Sequence, residues 1–213
     1  MKIGIIGSGV VGQQLGLGFL RTGHQVKIGT RDQAKLSNWK KDAGENASTG
    51  GVKEAAEFGE IIVLATKWEG TENALSLAGK ENFDGKIVID VTNPLDTSKG
   101  GVPRLDASEG NSGAEKIQKM IPGSKIVKAF NTINAFIMVG PAREEGDPDL
   151  FIAGDDDEAK KAVTIIAEDF GWKSVIDMGG LKQAYWLETF AMIWIHYGFK
   201  FNNWSHAFKL LKK

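Results

Sequence analysis

The chain has 213 residues, with 26 Lys+Arg against 27 Asp+Glu, three His and no Cys. That length predicts one domain, or one domain with a small appendage, and 42% hydrophobic with 25% charged residues is an ordinary globular balance. The lack of cysteine excludes disulfides, thiolate metal sites and a Cys nucleophile, and a net charge of -1 gives no electrostatic case for nucleic acid or an anionic membrane surface.

In chain order, short β-branched runs alternate with helical stretches, the pattern of a parallel sheet with crossover helices. The predicted strands are Lys2–Ile6, Gln25–Gly29, Ile61–Ala65, Lys86–Val91 and Lys125–Phe130. Between the first two lies the helix Val11–Arg21, with Leu15, Phe19 and Leu20 on one face and Gly23 as its stop. Glu54–Phe58, Thr71–Leu77 and Ala114–Met120 read as further crossover helices. Asp96–Gly113 has no period and reads as a loop of the kind that borders a ligand crevice. Leu150–Ala153 and Lys173–Ile176 are the last expected strands, flanking a helix Glu158–Phe170. The triplet Asp155–Asp157 ahead of that helix is read as capping, favoured by the helix dipole, and no metal is expected there.

From Leu181 the character changes, with nine aromatics in the 31 residues Leu181–Leu211, among them Trp186, Trp194 and Tyr197. One or two C-terminal helices with a large apolar face are expected, docked on the sheet or on a second subunit. The longest apolar runs, Ile61–Ala65 and Phe190–Ile195, are far short of the roughly 20 residues that cross a bilayer. The N-terminus enters a strand and not a signal peptide, so a cytoplasmic protein without membrane contact is expected.

Gly7-Ser8-Gly9-Val10-Val11-Gly12 is a G-x-G-x-x-G that follows an apolar strand, opens an amphipathic helix and sits in a βαβ unit. Gly7 suits the tight turn, Gly9 the close approach of a pyrophosphate and Gly12 close helix–strand packing. The helix N-terminus then offers free N–H groups to the phosphates. Dinucleotide binding by an α/β fold follows, a Rossmann-type doubly wound parallel sheet. Its expected division is a dinucleotide-binding domain over residues 1–180 and a short C-terminal helical lobe over residues 181–213.

An acid that takes the ribose 2′-OH is expected about 20 residues on, where the second strand ends Lys27-Ile28-Gly29-Thr30-Arg31-Asp32. Gly29 or Thr30 holds that position, and a hydroxyl beside a guanidinium suits a 2′-phosphate, with Lys35 one turn further on as a second charge. NADP is therefore favoured; Asp32 is the residue that would serve NAD, and a plain cap at Thr30 with exposed charges is the alternative use.

With those residues on the page, the chain resembles the NADP-dependent, coenzyme F420 (deazaflavin)-linked oxidoreductase family and, more distantly, the cytosolic domain of six-transmembrane ferric reductases. The matching pieces are Gly7–Gly12, Gly29-Thr30-Arg31, Thr66-Lys67-Trp68-Glu69, Asp90-Val91-Thr92-Asn93-Pro94-Leu95, Lys128-Ala129-Phe130-Asn131-Thr132, Gly154–Glu158 and Asp177–Leu181. The resemblance implies a 2′-phosphate pocket at Ser8, Thr30, Arg31 and Lys35. It places Thr66, Trp68 and Asn93 along the cofactor crevice, the last two beside the nicotinamide ribose, and nicotinamide contacts at about Ile133 and Ala135. Trp68 has a core role as its alternative. Archaeal members carry His and Pro where this chain has Asn131 and Asn134.

The resemblance implies hydride exchange between NADP(H) and a flavin-type coenzyme, either deazaflavin F420 or FMN/FAD, stacked on the nicotinamide. Such a transfer needs no side-chain acid or base, since the cofactors carry the chemistry. The alternatives are an NADPH-dependent reductase of a small carbonyl or imine, with Lys67 as proton-transfer candidate, and a non-catalytic NADP sensor. A homodimer through the aromatic lobe is expected.

Overall fold

The computed structural model describes residues 1–211; the last two residues of the expected C-terminal lobe lie outside the described residues. Its first half comprises β1 (Lys2–Ile6), α1 (Val10–Arg21), β2 (Gln25–Gly29), α2 (Ser37–Ala43), β3 (Ala47–Gly50), α3 (Val52–Phe58), β4 (Ile61–Leu64), α4 (Thr71–Ala78) and β5 (Ile87–Asp90). The second half comprises β6 (Leu95–Asp96), β7 (Arg104–Leu105), α5 (Gly113–Met120), β8 (Lys125–Lys128), β9 (Leu150–Gly154), α6 (Asp157–Asp169), β10 (Val175–Asp177) and α7 (Ala184–Phe201).

Eight strands form one sheet in the order β10-β9-β8-β5-β4-β1-β2-β3. The chain runs outward from β1 to β2 and β3, then restarts beside β1 at β4 and runs the other way. A crevice therefore opens beyond the carboxyl ends of β1 and β4, where the strand order reverses. All pairings are parallel except β8 with β9, so the final two strands run against the rest. This is the expected doubly wound α/β fold with a reversed edge.

The strands lie between two apolar layers, and the period of two is legible in each. Ile3, Ile5, Ile61 and Val63 turn to one layer, where they meet Leu15 and Phe19 of α1 and Val163 and Ile166 of α6. Ile6, Ile62, Leu64 and Val88 turn to the other, onto Ala74 and Leu75 of α4 and Ile117 of α5. The segment expected as a loop at Asp96–Gly113 carries more structure than that. Leu95–Asp96 pairs antiparallel with Arg104–Leu105, and Gly100 and Gly101 turn the connection with φ of 66° and 68°.

The C-terminal segment forms one long helix, α7, and a returning tail. Asn202, in the left-handed region at φ 48°, ends the helix. The tail then folds back, with Trp204 against Trp194 at 5.4 Å between ring centroids and Phe208 against Phe190 at 4.3 Å. Phe190 also meets Phe151 of β9 edge-on. Most of the expected aromatics are thus used within the chain, but Trp186, Ile193 and Tyr197 of α7 remain exposed. Among the described residues no helix is long and apolar enough to cross a membrane.

Candidate nucleotide and redox site

The glycine loop leaves β1 at the reversal of strand order. Gly7 takes φ 129°, a conformation that disfavours a side chain, and its N–H donates to Gly29 O at 3.3 Å. A Cβ on Gly12 would stand 2.0 Å from Gly7 O, so α1 packs against the loop only because that position is bare. A Cβ on Gly9 would meet nothing within 4 Å. The protein's own packing does not require glycine there, whereas a ligand approaching the backbone would.

Around this loop lies a cleft of about 640 Å³. Gly7, Ser8 and Gly9 form one side, Thr30, Arg31 and Lys35 the second, and Thr66 and Lys67 the third. Ser8 Oγ and Thr30 Oγ1 are hydrogen bonded at 2.9 Å, which fixes two hydroxyls beside the exposed Arg31 and Lys35. Asp32, the acid that would serve NAD, accepts from Ala34 N at 3.1 Å and caps the short 3₁₀ turn Gln33–Leu36. The four groups expected for a 2′-phosphate pocket therefore converge, and two of them are cationic. Val52, Asn73, Ala74 and Leu77, contributed by α3 and α4, complete the cleft, and nothing in the sequence motif announces them. The donor set and the space at Gly9 fit a phosphorylated dinucleotide.

A second cleft of about 320 Å³ shares Ala65, Thr66, Lys67 and Glu69 with the first, and continues past the ends of β4 and β5 to Val91, Thr92, Asn93, Leu95 and Thr97. Val11 and Trp68 also line it, while Val10 is exposed on the first turn of α1. Trp68 is half-buried, its indole N–H donating to Asp106 Oδ2 at 3.0 Å and its ring beneath the Lys116 ammonium at 5.5 Å. It also packs against the edge of the core, the alternative place expected for it. Lys67 is exposed at the seam of the two clefts.

Asn93 is held from behind. Its Nδ2 donates to Asn131 O at 2.8 Å, while Asn131 Nδ2 donates to Asn93 Oδ1 at 2.9 Å and to Leu187 O at 3.0 Å. Ile133 lies in the core and Ala135 is half-buried in the turn after β8, so of the expected nicotinamide residues neither lines either cleft by its side chain. His24 rests on Phe19, and His206 sits between Asn203 O and Trp194 O; among the described residues no histidine lines the two clefts. The acidic triplet is used structurally, Asp155 accepting from Leu181 N, Asp156 capping α6 through Ala159 N and Asp157 pairing with Lys160.

Behind the second cleft stands an ionic network not foreseen from the sequence. Lys128, Asp90 and Glu188 are fully buried. Lys128 Nζ reaches Asp90 Oδ2 at 2.7 Å, Glu188 Oε1 at 2.9 Å and Thr92 O at 2.7 Å, using its three N–H donors. Burial alone would lower the ammonium's pKa, but the two carboxylates outweigh it and hold Lys128 above its ordinary value. Glu188 also accepts from Gly113 N and Ala114 N at the start of α5. The network thus ties β5, β8, α5 and α7 together directly behind Thr92 and Asn93.

Fold and site define a nucleotide-binding α/β oxidoreductase. A family model described as "NADP oxidoreductase coenzyme F420-dependent" matches residues 2–94. An F420-dependent NADP reductase of Methanocaldococcus jannaschii is 30% identical over 95% of each chain. The metalloreductase STEAP3 of Rattus norvegicus is 34% identical over 86% of this chain but only 35% of its own length. A crystallised protein from Arthrobacter sp. FB24 superposes with a TM-score of 0.94 at 34% identity, covering all of both chains. The chain belongs to the F420-dependent NADP oxidoreductase family, whose members are NADP-dependent oxidoreductases.

Proposed function

We propose that the protein exchanges hydride between NADP(H) and a flavin-type coenzyme, with deazaflavin F420 as the acceptor favoured over FMN and FAD. The carrying observation is the continuity of the two clefts through Ala65, Thr66 and Lys67, with phosphate-type donors at one end and an open shelf at the strand ends of β4 and β5 at the other. The first cleft suits the adenosine 2′-phosphate and pyrophosphate, the second a nicotinamide with a flat ring laid over it.

In this reading, Gly7 makes the turn, its own N–H taken by Gly29 O, and Ser8, Gly9, Val10, Val11 and Gly12 offer their backbone N–H groups at the α1 N-terminus to the pyrophosphate. Ser8, Thr30, Arg31 and Lys35 hold the 2′-phosphate through hydroxyls and charge-assisted donors. Thr66 lines the cofactor crevice, Trp68 and Asn93 border the nicotinamide ribose, and the backbone at Ile133 and Ala135 takes the carboxamide. Hydride transfer is the chemistry the two coenzymes supply; the chain positions the rings and excludes water. No side-chain proton donor is required, and Lys67 serves as a ribose or phosphate contact.

Residues 1–180 act as the dinucleotide-binding unit and the segment from residue 181 as a lobe closing it, in a cytoplasmic protein. The exposed stripe Trp186, Ile193 and Tyr197 supports a homodimer through α7, checked by sedimentation of the wild type against a Trp186→Lys variant. The function itself is tested by anaerobic oxidation of NADPH at the nicotinamide band with deazaflavin coenzyme, FMN and FAD added separately. Rapid oxidation with the deazaflavin is expected. Measurable NADPH binding with no oxidation by any of the three would overturn the reading.

A further inference from the structure

The network behind the second cleft has a charge sign as well as a shape. Asp90 Oδ1 accepts from Thr92 N at 2.9 Å and from Thr92 Oγ1 at 2.7 Å, while Oδ2 accepts from Lys128. Both Glu188 oxygens likewise face donors only, Gly113 N on one and Ala114 N with Lys128 on the other. Glu188 meets N–H donors only, and Asp90 meets the Lys128 ammonium and the Thr92 N–H, an arrangement that suits two carboxylates. Two carboxylates and one ammonium leave one negative charge in excess.

The α5 N-terminus offsets part of that excess, but its N–H groups fall on Glu188, away from the cleft. Thr92, which lines the cleft, separates it from both Asp90 and Lys128, binding Asp90 through its N–H and hydroxyl and Lys128 through its carbonyl, so these two charges largely offset one another there and the excess belongs to the network as a whole. Lys67 and Glu69 also line it, but they are exposed, opposite in sign and screened by solvent. What the network sets behind the second cleft is therefore a net negative charge.

NADP⁺ and NADPH differ at one place, the nicotinamide ring, which is cationic when oxidised and neutral when reduced. We propose that the Asp90–Lys128–Glu188 network is a specificity-determining element that favours the oxidised dinucleotide, and so poises bound NADPH to give up hydride. This rests on the reading that NADP occupies the two clefts with its nicotinamide end beside Thr92 and Asn93. Asp90, Lys128 and Glu188 act here as positioning and field-setting groups and touch no substrate.

The test is a set of dissociation constants, measured by calorimetry for NADP⁺, NADPH and 2′,5′-ADP, which lacks the nicotinamide. In the wild type, NADP⁺ should bind more tightly than NADPH. Asp90→Asn and Glu188→Gln each remove one negative charge, and each should weaken NADP⁺ relative to NADPH by roughly tenfold, the scale of one unit charge about 12 Å away through protein of effective dielectric near 20. Lys128→Met should move the ratio the opposite way, and 2′,5′-ADP should bind unchanged throughout. A network that only braces the fold would weaken both redox forms alike. Equal shifts for the two forms, or a wild type that prefers NADPH, would overturn the proposal and need no folded variant to be seen in the second case. Failure of the wild type to bind any of the three ligands would instead refute the underlying assignment of the clefts.

Discussion

Replacing Arg31 with Ala tests the proposed 2′-phosphate contact that would separate NADPH from NADH. Arg31 lies in the first cleft with Ser8, Thr30 and Lys35, next to a hydroxyl pair fixed at 2.9 Å. A charge-assisted hydrogen bond contributes about 1.5–3 kcal/mol, which converts to about 10- to 150-fold in affinity. Because Arg31 is exposed, solvent screening places the loss toward the lower end of that range. Lys35 remains in the Arg31→Ala protein, so selectivity should fall without vanishing, and Arg31→Ala/Lys35→Ala should bring the two cofactors close to parity. Dissociation constants for NADPH and NADH, taken at low and moderate salt, provide the assay. NADPH should weaken by about tenfold or more while NADH is unmoved, and the NADPH affinity of the wild type should be the more salt-sensitive. Equal losses for both cofactors would refute the 2′-phosphate assignment.

Other perturbations follow from the same geometry. Gly12→Ala places a methyl 2.0 Å from Gly7 O, so α1 must shift from the loop; weakened binding of NADPH, NADH and 2′,5′-ADP together, with a lowered Tm, is expected. Lys67→Ala should raise the KM for NADPH and leave the saturated rate of hydride transfer intact, and a collapse of kcat would identify Lys67 as a proton-transfer group. The Lys125 ammonium at 2.9 Å, and then Ala159 N, hold the Asp156 carboxyl below the ordinary carboxylate range. Its contribution to stability is thus present above the unfolded carboxylate's pKa and lost as pH falls through the lowered value. Asp156→Asn should lower Tm at neutral pH and make the acid-side decline shallower; an unchanged pH profile would contradict this.

The parts of the fold that the sequence displays are those dictated by local periodicity. β1, β4, β5 and β8 are mainly apolar runs buried on both faces, β2 alternates buried Val26 and Ile28 with the half-exposed Lys27, and the helices between them keep one apolar side. β3, by contrast, is Ala-Ser-Thr-Gly, an edge strand with little to bury, and it leaves no hydrophobic signal. β6 and β7 are two residues each, defined only by pairing across a seven-residue connection that no local pattern marks.

The site divides in the same way. The glycine loop is legible because Gly7 and Gly12 answer local backbone demands and Gly9 keeps open the space a ligand would need, and Arg31 and Lys35 follow it at fixed distance along the chain. Val52, Asn73 and Leu77 reach the same cleft from separate helices, by tertiary placement alone. Lys128 and Glu188 each sit as a single charge in an otherwise apolar stretch, Lys128 at the end of β8 and Glu188 within α7. Buried charges persist only when paired, so that pattern was a usable signal for a buried ionic partner, though not for which one.

In the proposed reaction hydride passes directly from NADPH to a flat ring lying on the second cleft, a transfer that leaves an isotopic trace. It is tested most directly with NADPH carrying deuterium at C4 of the nicotinamide and oxidised deazaflavin coenzyme as acceptor, because C5 of the reduced deazaflavin keeps its hydrogen without exchange. Recovery of the deuterium at C5, from one of the two C4 positions only, is the predicted result. Loss of the label to water, or recovery from both C4 positions alike, would contradict the account.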